Sequence, residues 1–516
     1  MRANKPTFIL ELPLVTGDQE RRPLKRKFAL ARTLYNATLG QALGRLKRMR
    51  EDARWRHART LPKGRERNAL FNSLQREYQL TENGLRTLAN NHRGASGRTD
   101  FGAHEAQCIG RTVYRALERY MFKGAGKPRF KSFRQGINSI EGTDNHEIMF
   151  KPEQRAVVWR KHVYPVIIPE TNYVREALAD PHDASKPRRV KYCRVIRRTI
   201  HGKEAWYVQL ALEGLAPVRH VYAPPSEPVG IDPGPSQIAV YSPLGAGLFR
   251  LAPGVENLSR DMRRLQRKLD RSRRANNPEN FNADGTCKKG PKRWKESNNY
   301  LKLKTQISEI YRRQAQTRKR DHGTLVNAIL QMGGTVKIEK NSYLSYQKNF
   351  GRSTQRSGMG EFVQHLKRSA ESANLYVQEL DAYQFKLSQY DPVMDAYTKK
   401  PLKQRWHRHG MTDTIVQRDI HSAFLACYAT EKGHDPILLC EKWTTAEPLL
   451  RDAGLCLTYQ PRNDQDWAQA LLRLTRVVKP IGLTPTGKRC ILNTVCAGQC
   501  CAVSQETTQS VPYRSL

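Results

Sequence analysis

Residues Pro228–Ser242 read PVGIDPGPSQIAVYS. Val229 and Ile231 mark a short apolar strand that closes on an acid, Asp232. Pro233 and Gly234 then force a tight turn, and Ile238 and Val240 alternate in a second strand. Gly247–Leu251 reads as a third. A carboxylate fixed at a strand end beside a turn is held in one direction, as coordination of a hard cation requires. The same acid also reads as a turn former, so its meaning depends on partners.

Two partners follow in the chain. Gly334–Glu339 (GTVKIE) is a strand in which Val336 and Ile338 alternate, and it ends on Glu339. Arg418–Ala429 (RDIHSAFLACYA) stacks Ile420, Phe424 and Tyr428 at helical spacing and carries Asp419 in its first turn. Singly, these acids read as a solvated strand end and a residue favoured by the helix dipole. Together they suit two-metal phosphodiester hydrolysis, where carboxylates from several elements converge on two Mg²⁺ ions about 4 Å apart. Between Asp232 and Glu339, Leu258, Met262, Leu265 and Leu269 mark a very basic helix, and Leu303, Ile307 and Ile310 begin a second. The Asn-, Gly- and Lys-rich stretch 275–295 reads as the loop of an antiparallel hairpin.

The composition names the partner class. The 516 residues include 89 Lys and Arg against 48 Asp and Glu, a formal net charge of +41. Such self-repulsion is relieved by a polyanion, and nucleic acid comes first. The bland alternative is a ribosome-associated or simply basic protein. No run approaches the ~18 apolar residues of a membrane span. Thr7–Val15 is short, contains Glu11 and reads as a strand, not a signal peptide. Ten cysteines without a regular framework fit a reducing cytoplasm.

Upstream, Thr7–Leu14 is a strand and Gly17–Arg22 a charged turn. From Leu24 to Met121 the chain is helical and basic, with Leu30, Leu34, Leu39, Leu43 and Leu46 along one face. Asn90–Gly102 reads as a polar loop. In GKPRFKSF, Lys127, Arg129 and Lys131 alternate with Phe130, so an extended chain separates charge from ring. Tyr114, Tyr120 and Phe130 are candidate stacking rings. Short β segments follow to Glu213, and the proline-rich stretch 218–228 is the best domain boundary. Residues 388–417 look polar and irregular, and 464–477 helical.

GIDPG around Asp232, VKIEK around Glu339 and QRDIHSAFLA around Asp419 resemble the three RuvC motifs of the TnpB family, transposon-encoded relatives of type V CRISPR effectors. GKPRFKSF, YVQLALEG and YLSYQKNFGRS resemble further elements of that family, and the likeness covers roughly residues 7–430. The resemblance implies an α+β multidomain protein: an RNase H-like (RuvC) α/β domain and an N-terminal β-barrel-like domain interrupted by a helical recognition domain. The implied boundaries are 1–23 and 123–217 for a wedge-like β-domain, 24–122 for the helical domain, and 226–387 with 417–432 for the nuclease. It implies Asp232, Glu339 and Asp419 as catalytic ligands of two Mg²⁺ ions, with a guide RNA and a double-stranded DNA target as partners. Lys127, Arg129, Lys131, Arg264, Arg267 and Lys268 become candidate nucleic-acid contacts. The implied location is the cytoplasm, at the nucleoid, with no membrane; the oligomeric state stays open.

The chain departs from the family pattern in two places. His421 stands where many relatives have asparagine in the third motif. Residues 388–416 fall where relatives carry a zinc ribbon of two Cys-x-x-Cys knuckles, yet this stretch contains no cysteine. His407, His409, Asp391 and Asp395 are the remaining potential ligands, and a degenerate, zinc-free insertion is the expectation. Residues 433–516 read as a divergent tail whose Cys490, Cys496, Cys500 and Cys501 lack knuckle spacing. The main expectation is RNA-guided DNA cleavage. The alternatives are guided binding with weak or lost cleavage, and an unguided structure-specific nuclease.

Overall fold

A computed structural model describes residues 6–455 except 96–100, 134–135, 144–145, 218–225, 291, 402–403, 411 and 413. The proposed segment 464–477 and the four C-terminal cysteines lie outside the described residues, as does most of the proline-rich boundary. The arrangement is mixed α+β, as the sequence leads one to expect.

The first part runs β1 (Thr7–Pro13), then α1 (Asp18–Glu51), α2 (Ala53–Thr60), α3 (Arg65–Glu77), α4 (Glu82–Ala95) and α5 (Ala103–Phe122). The chain returns through β2 (Ser139–Glu141), β3 (Ile148–Lys151), β4 (Ala156–Trp159), β5 (His162–Pro165), α6 (Asn172–Leu178), β6 (Val190–Ile200) and β7 (Lys203–Glu213). An antiparallel sheet ordered β1-β7-β6-β2 and a β3-β4-β5 meander are joined by the Leu14–Val166 bridge. Gly17–Arg22, expected as a turn, opens α1 instead. Glu20 reaches back to accept from the Gly17 N–H at 2.7 Å, satisfying an otherwise free donor of the first turn.

The second part begins with β8 (Pro228–Pro233), β9 (Gln237–Ser242) and β10 (Gly245–Arg250). Two long helices follow, α7 (Ser259–Ala275) and α8 (Asn298–Met332). Then come β11 (Thr335–Lys340), α9 (Tyr343–Ser357), α10 (Met359–Ser372), β12 (Tyr376–Asp381) and α11 (Ala382–Phe385). The sheet order is β10-β9-β8-β11-β12: an antiparallel meander on one side, with β8, β11 and β12 parallel on the other. Val229, Ile231, Val336 and Ile338 turn to one face, where Leu325, Ile329, Phe362 and Leu366 of α8 and α10 bury them. The stretch 275–295 is less loose than its composition suggests. Asn277 donates to the Arg273 and Lys295 carbonyls, and Arg273 lies 3.7 Å from the Trp294 ring centroid.

The polar stretch 388–417 forms two small hairpins, β13 (Tyr390–Asp391) with β14 (Ala396–Tyr397) and β15 (Trp406–Arg408) with β16 (Ile415–Gln417). It leads into α12 (Arg418–Tyr428), which covers the second sheet face. Residues 436–455, grouped by sequence with the tail, form α13 (Pro436–Leu455). Its Leu439, Trp443, Ala446 and Leu450 are buried against the sheet's third core.

Candidate active site

Parallel pairing of β8 with β11 aligns Ile231 with Ile338, so Asp232 and Glu339 sit one step further along, side by side at the carboxyl ends of neighbouring strands. Strand alternation puts Gly230 and Asp232, and likewise Lys337 and Glu339, on the face opposite the Val/Ile core. That face belongs to α12. Gly230 lets the helix in: a Cβ there would stand 1.9 Å from the Ala423 carbonyl and 2.4 Å from the Cys427 nitrogen. The far end is pinned by Lys337 Nζ, which donates to the Ala429 carbonyl at 2.7 Å, and by Cys427 Sγ on the Pro228 carbonyl. The helix therefore runs antiparallel to β8 and delivers Asp419, in its first turn, to the Asp232 end.

Two strand carboxylates packed this closely, under a helix, resist ionisation. Burial pushes Asp232 well above the usual carboxylate range, and the charges of Glu339 and Asp419 push it further, against the pull of Arg418 and Arg405. Burial also raises Glu339, opposed by the hydrogen bond that Asn341 Nδ2 donates at 3.0 Å. Asp419 is tied elsewhere. It accepts from Arg405 Nη1 at 3.2 Å, from Arg418 Nε and Nη2 at 3.2 Å, and from Gln417 Nε2 at 3.2 Å.

Sequence reasoning missed these supporting residues. Arg418 stands beside Asp419 in the chain and was there to be noticed. Arg405 is 14 residues away, and only the β15–β16 pairing, with Arg418 N–H on the Arg405 carbonyl at 2.8 Å, brings it in. Tyr346 on α9 is the third. Its hydroxyl is pushed up to about 12, first by burial and then by the charges of all three acids.

The donor chemistry suits Mg²⁺: hard carboxylate oxygens and no sulfur. In this conformation the grouping is two plus one. Among the described residues no set of three or more His, Cys, Asp or Glu is gathered tightly enough to hold an ion, because Asp419 is turned to its arginines.

The other candidates are dispersed. Lys127, Arg129 and Lys131 are exposed on an extended segment, and Asn36 of α1 fixes it by accepting from the Lys131 N–H at 2.8 Å and donating to its carbonyl at 2.9 Å. Phe130 lies over Gly40 of the same helix. Arg264, Arg267 and Lys268 are exposed on α7. Among the described residues the potential zinc ligands are each engaged in other contacts. Asp391 caps the Val393 N–H, Asp395 accepts from the Tyr390 hydroxyl at 2.8 Å, and His409 is stacked on Trp443 with ring centroids 3.4 Å apart. The side chain of His407 lies outside the described residues. His421 is buried next to His409 and Trp443, away from solvent. Among the described residues no helix is long and apolar enough to cross a membrane.

No known protein family matches this chain, and no curated protein does. Several solved structures show partial similarity, among them two Cas12f complexes. A cryo-EM structure of a Cas12f1–sgRNA–target DNA complex is 11% identical, over 82% of this chain and 98% of that one, with a TM-score of 0.38. A CRISPR–Cas12f ternary complex is 12% identical, over 78% and 81%, with a TM-score of 0.26. At such TM-scores neither likeness carries an argument about function, which rests on the acid edge of the sheet.

Proposed function

We propose that the chain is an RNA-guided DNA endonuclease of the TnpB type, with an RNase H-like nuclease domain at residues 226–387 and 417–432. The observation that carries this reading is the side-by-side seating of Asp232 and Glu339 at the ends of parallel β8 and β11, with Asp419 delivered by α12. The sheet order supports it: three antiparallel strands followed by two parallel ones is the RNase H-like arrangement. The guide and the DNA target rest on the motif resemblance and on the charge of +41.

Asp232, Glu339 and Asp419 are the residues that would hold Mg²⁺. When bound, the ions supply a Lewis acid for the scissile phosphate and an activated water. The chain's own groups prepare the ground. Asn341 orients the Glu339 carboxylate, while Arg405, half-exposed at 55%, and Arg418 make the approach to Asp419 attractive to a phosphate. The amino end of α12 adds its dipole in the same sense. Exposed cations of α7 and of the Lys127–Lys131 segment would neutralise backbone phosphates without reading sequence.

The test is to purify the protein with the RNA from its native locus and assay matched DNA with Mg²⁺. Cleavage should fall at least ~10³-fold in Asp232→Ala, a loss of about 4 kcal/mol in barrier lowering. Equal cleavage by the variant would remove the acids from the chemistry, and the absence of a specific RNA would remove the guide. A binding-only protein is the second reading. It is favoured by the arginine-tied Asp419, and guided binding without cleavage by the wild type would select it.

A further inference from the structure

A cleft of about 700 Å³ opens between α3 and α5, far in sequence from the acids and independent of them. Two helix faces line it. From α5 come Tyr114, Glu118 and Phe122, four residues apart and therefore stacked along one stripe. From α3 come Asn68 and Asn72, also four apart, with Phe71 at the base between them. Lys63, Arg67 and Arg76 also line it, Arg67 lying 5.6 Å from the Phe71 ring centroid.

The lining combines aromatic rings, amides and a carboxylate. Phe122 is 42% exposed although its ring meets Phe71 edge-on at 5.5 Å and Trp55 at 6.2 Å, so part of its apolar surface remains open. Asn68 and Asn72 are exposed, and among the described residues neither amide has a hydrogen-bond partner. Glu118 carries a fixed acceptor and is balanced by Lys123 at 3.3 Å. The volume falls in the usual range for small-molecule sites.

We infer that this cleft holds one unstacked nucleobase of a single-stranded nucleic acid, and that it prefers a base bearing an exocyclic amino group. The ring face of Phe122 supplies stacking, as on single-strand binding platforms. An amide offers a donor and an acceptor together, the pair that matches the edge of adenine. The Glu118 carboxylate accepts from an amino group and repels the carbonyl of uracil or thymine at the same place. The lining cations Lys63, Arg67 and Arg76 meet the flanking phosphates. A general basic surface would have no need of the acid or the amides.

Fluorescein-labelled rA12, dA12, rU12 and dT12 test this by anisotropy at about 300 mM salt, where counterion-driven binding is weak. Charge attraction is common to all four probes and cancels in the affinity ratio. The A probes should bind several-fold more tightly than rU12 and dT12, and the rA12 to dA12 ratio tells RNA from DNA as the source. Asn68→Ala with Asn72→Ala should bring the A preference to near unity. Both side chains are exposed, so the helix should persist. Glu118→Gln, which keeps the volume, should lower the preference without touching α3. Phe122→Ala should weaken all four probes by about tenfold, the loss expected for one stacked base. Equal binding of A and U/T probes by the wild type overturns the inference, as does a preference that survives both the double variant and Glu118→Gln.

Discussion

The acid edge of the sheet and the paired hairpins at 390–417 both adjoin α12, and they are built on opposite terms. At the edge, polar groups are crowded where the chain would be more stable without them: Asp232 and Glu339 are adjacent, shielded and mutually repulsive. In the hairpins, potentially ligating groups are absorbed into packing. His409 lies flat on Trp443, Tyr390 lies flat on His434 at 4.0 Å, and His434 donates through Nε2 to the Phe385 carbonyl at 2.7 Å. Perturbed carboxylates crowded together are the kind of cluster that functional sites concentrate, which fits the proposed cation site.

The largest expected effect breaks the hairpin side. Trp443→Ala removes the surface on which His409 rests and a fully buried ring between α12 and α13. It should cost about 3–5 kcal/mol, read by denaturant unfolding. A loss below about 1 kcal/mol would mean that α13 is not the support. On the other side, Gly230→Ala forces a methyl group onto the Ala423 carbonyl and should cost about 2–3 kcal/mol. It should also lower cleavage, because α12 carries Asp419. Cleavage unchanged in a destabilised variant would separate the helix from the chemistry.

The two regions were unequally legible in the sequence. Asp232 and Glu339 are visible because each ends an apolar, alternating strand, and that pattern is local. Asp419 is visible from its helix. Arg405 is not, since its approach depends on pairing between Trp406 and Gln417, which no local pattern encodes. The hairpins looked irregular because their strands are two or three residues long and take their burial from α13, some 30 to 50 residues away. That helix was itself hidden by Pro448 and by the want of a clear apolar stripe.

Acidification should sharpen the comparison by moving the two sides in opposite directions. Burial lowers His409 to about 4, with Asp391 and Glu447 opposing and Lys400 assisting. A depressed imidazole contributes stability that is complete above its unfolded value near 6.5 and is lost as pH falls toward 4. The hairpin side should thus lose roughly 2 kcal/mol between pH 7 and 5. Asp232 has the opposite sign. Its folded value is raised, so the native state binds the extra proton and stability increases as pH falls through that raised range. In metal-free protein, Asp232→Asn should be more stable than the wild type at pH 7 and should lose stability more steeply on acidification, whereas His409→Phe should flatten the loss. Parallel curves for all three proteins would show that neither group sets the pH response.

The smallest expected effect is zero, and it is the most discriminating. If rings and α13 hold the hairpins, a zinc-selective chelator in excess should leave the midpoint of unfolding unchanged, and the purified protein should carry no more than trace zinc. Mg²⁺ should raise the midpoint, since a cation between Asp232 and Glu339 relieves the repulsion that burial imposes on them. The two additions thus probe the two regions separately. A chelator-induced drop would assign a metal to a stretch that has no cysteine, with His407, His409, Asp391 and Asp395 as the ligands to examine. It would also require His409 to leave Trp443, so the same chelator should then change tryptophan fluorescence. A silent chelator with a responsive Mg²⁺ titration would leave metal chemistry at the acid edge alone.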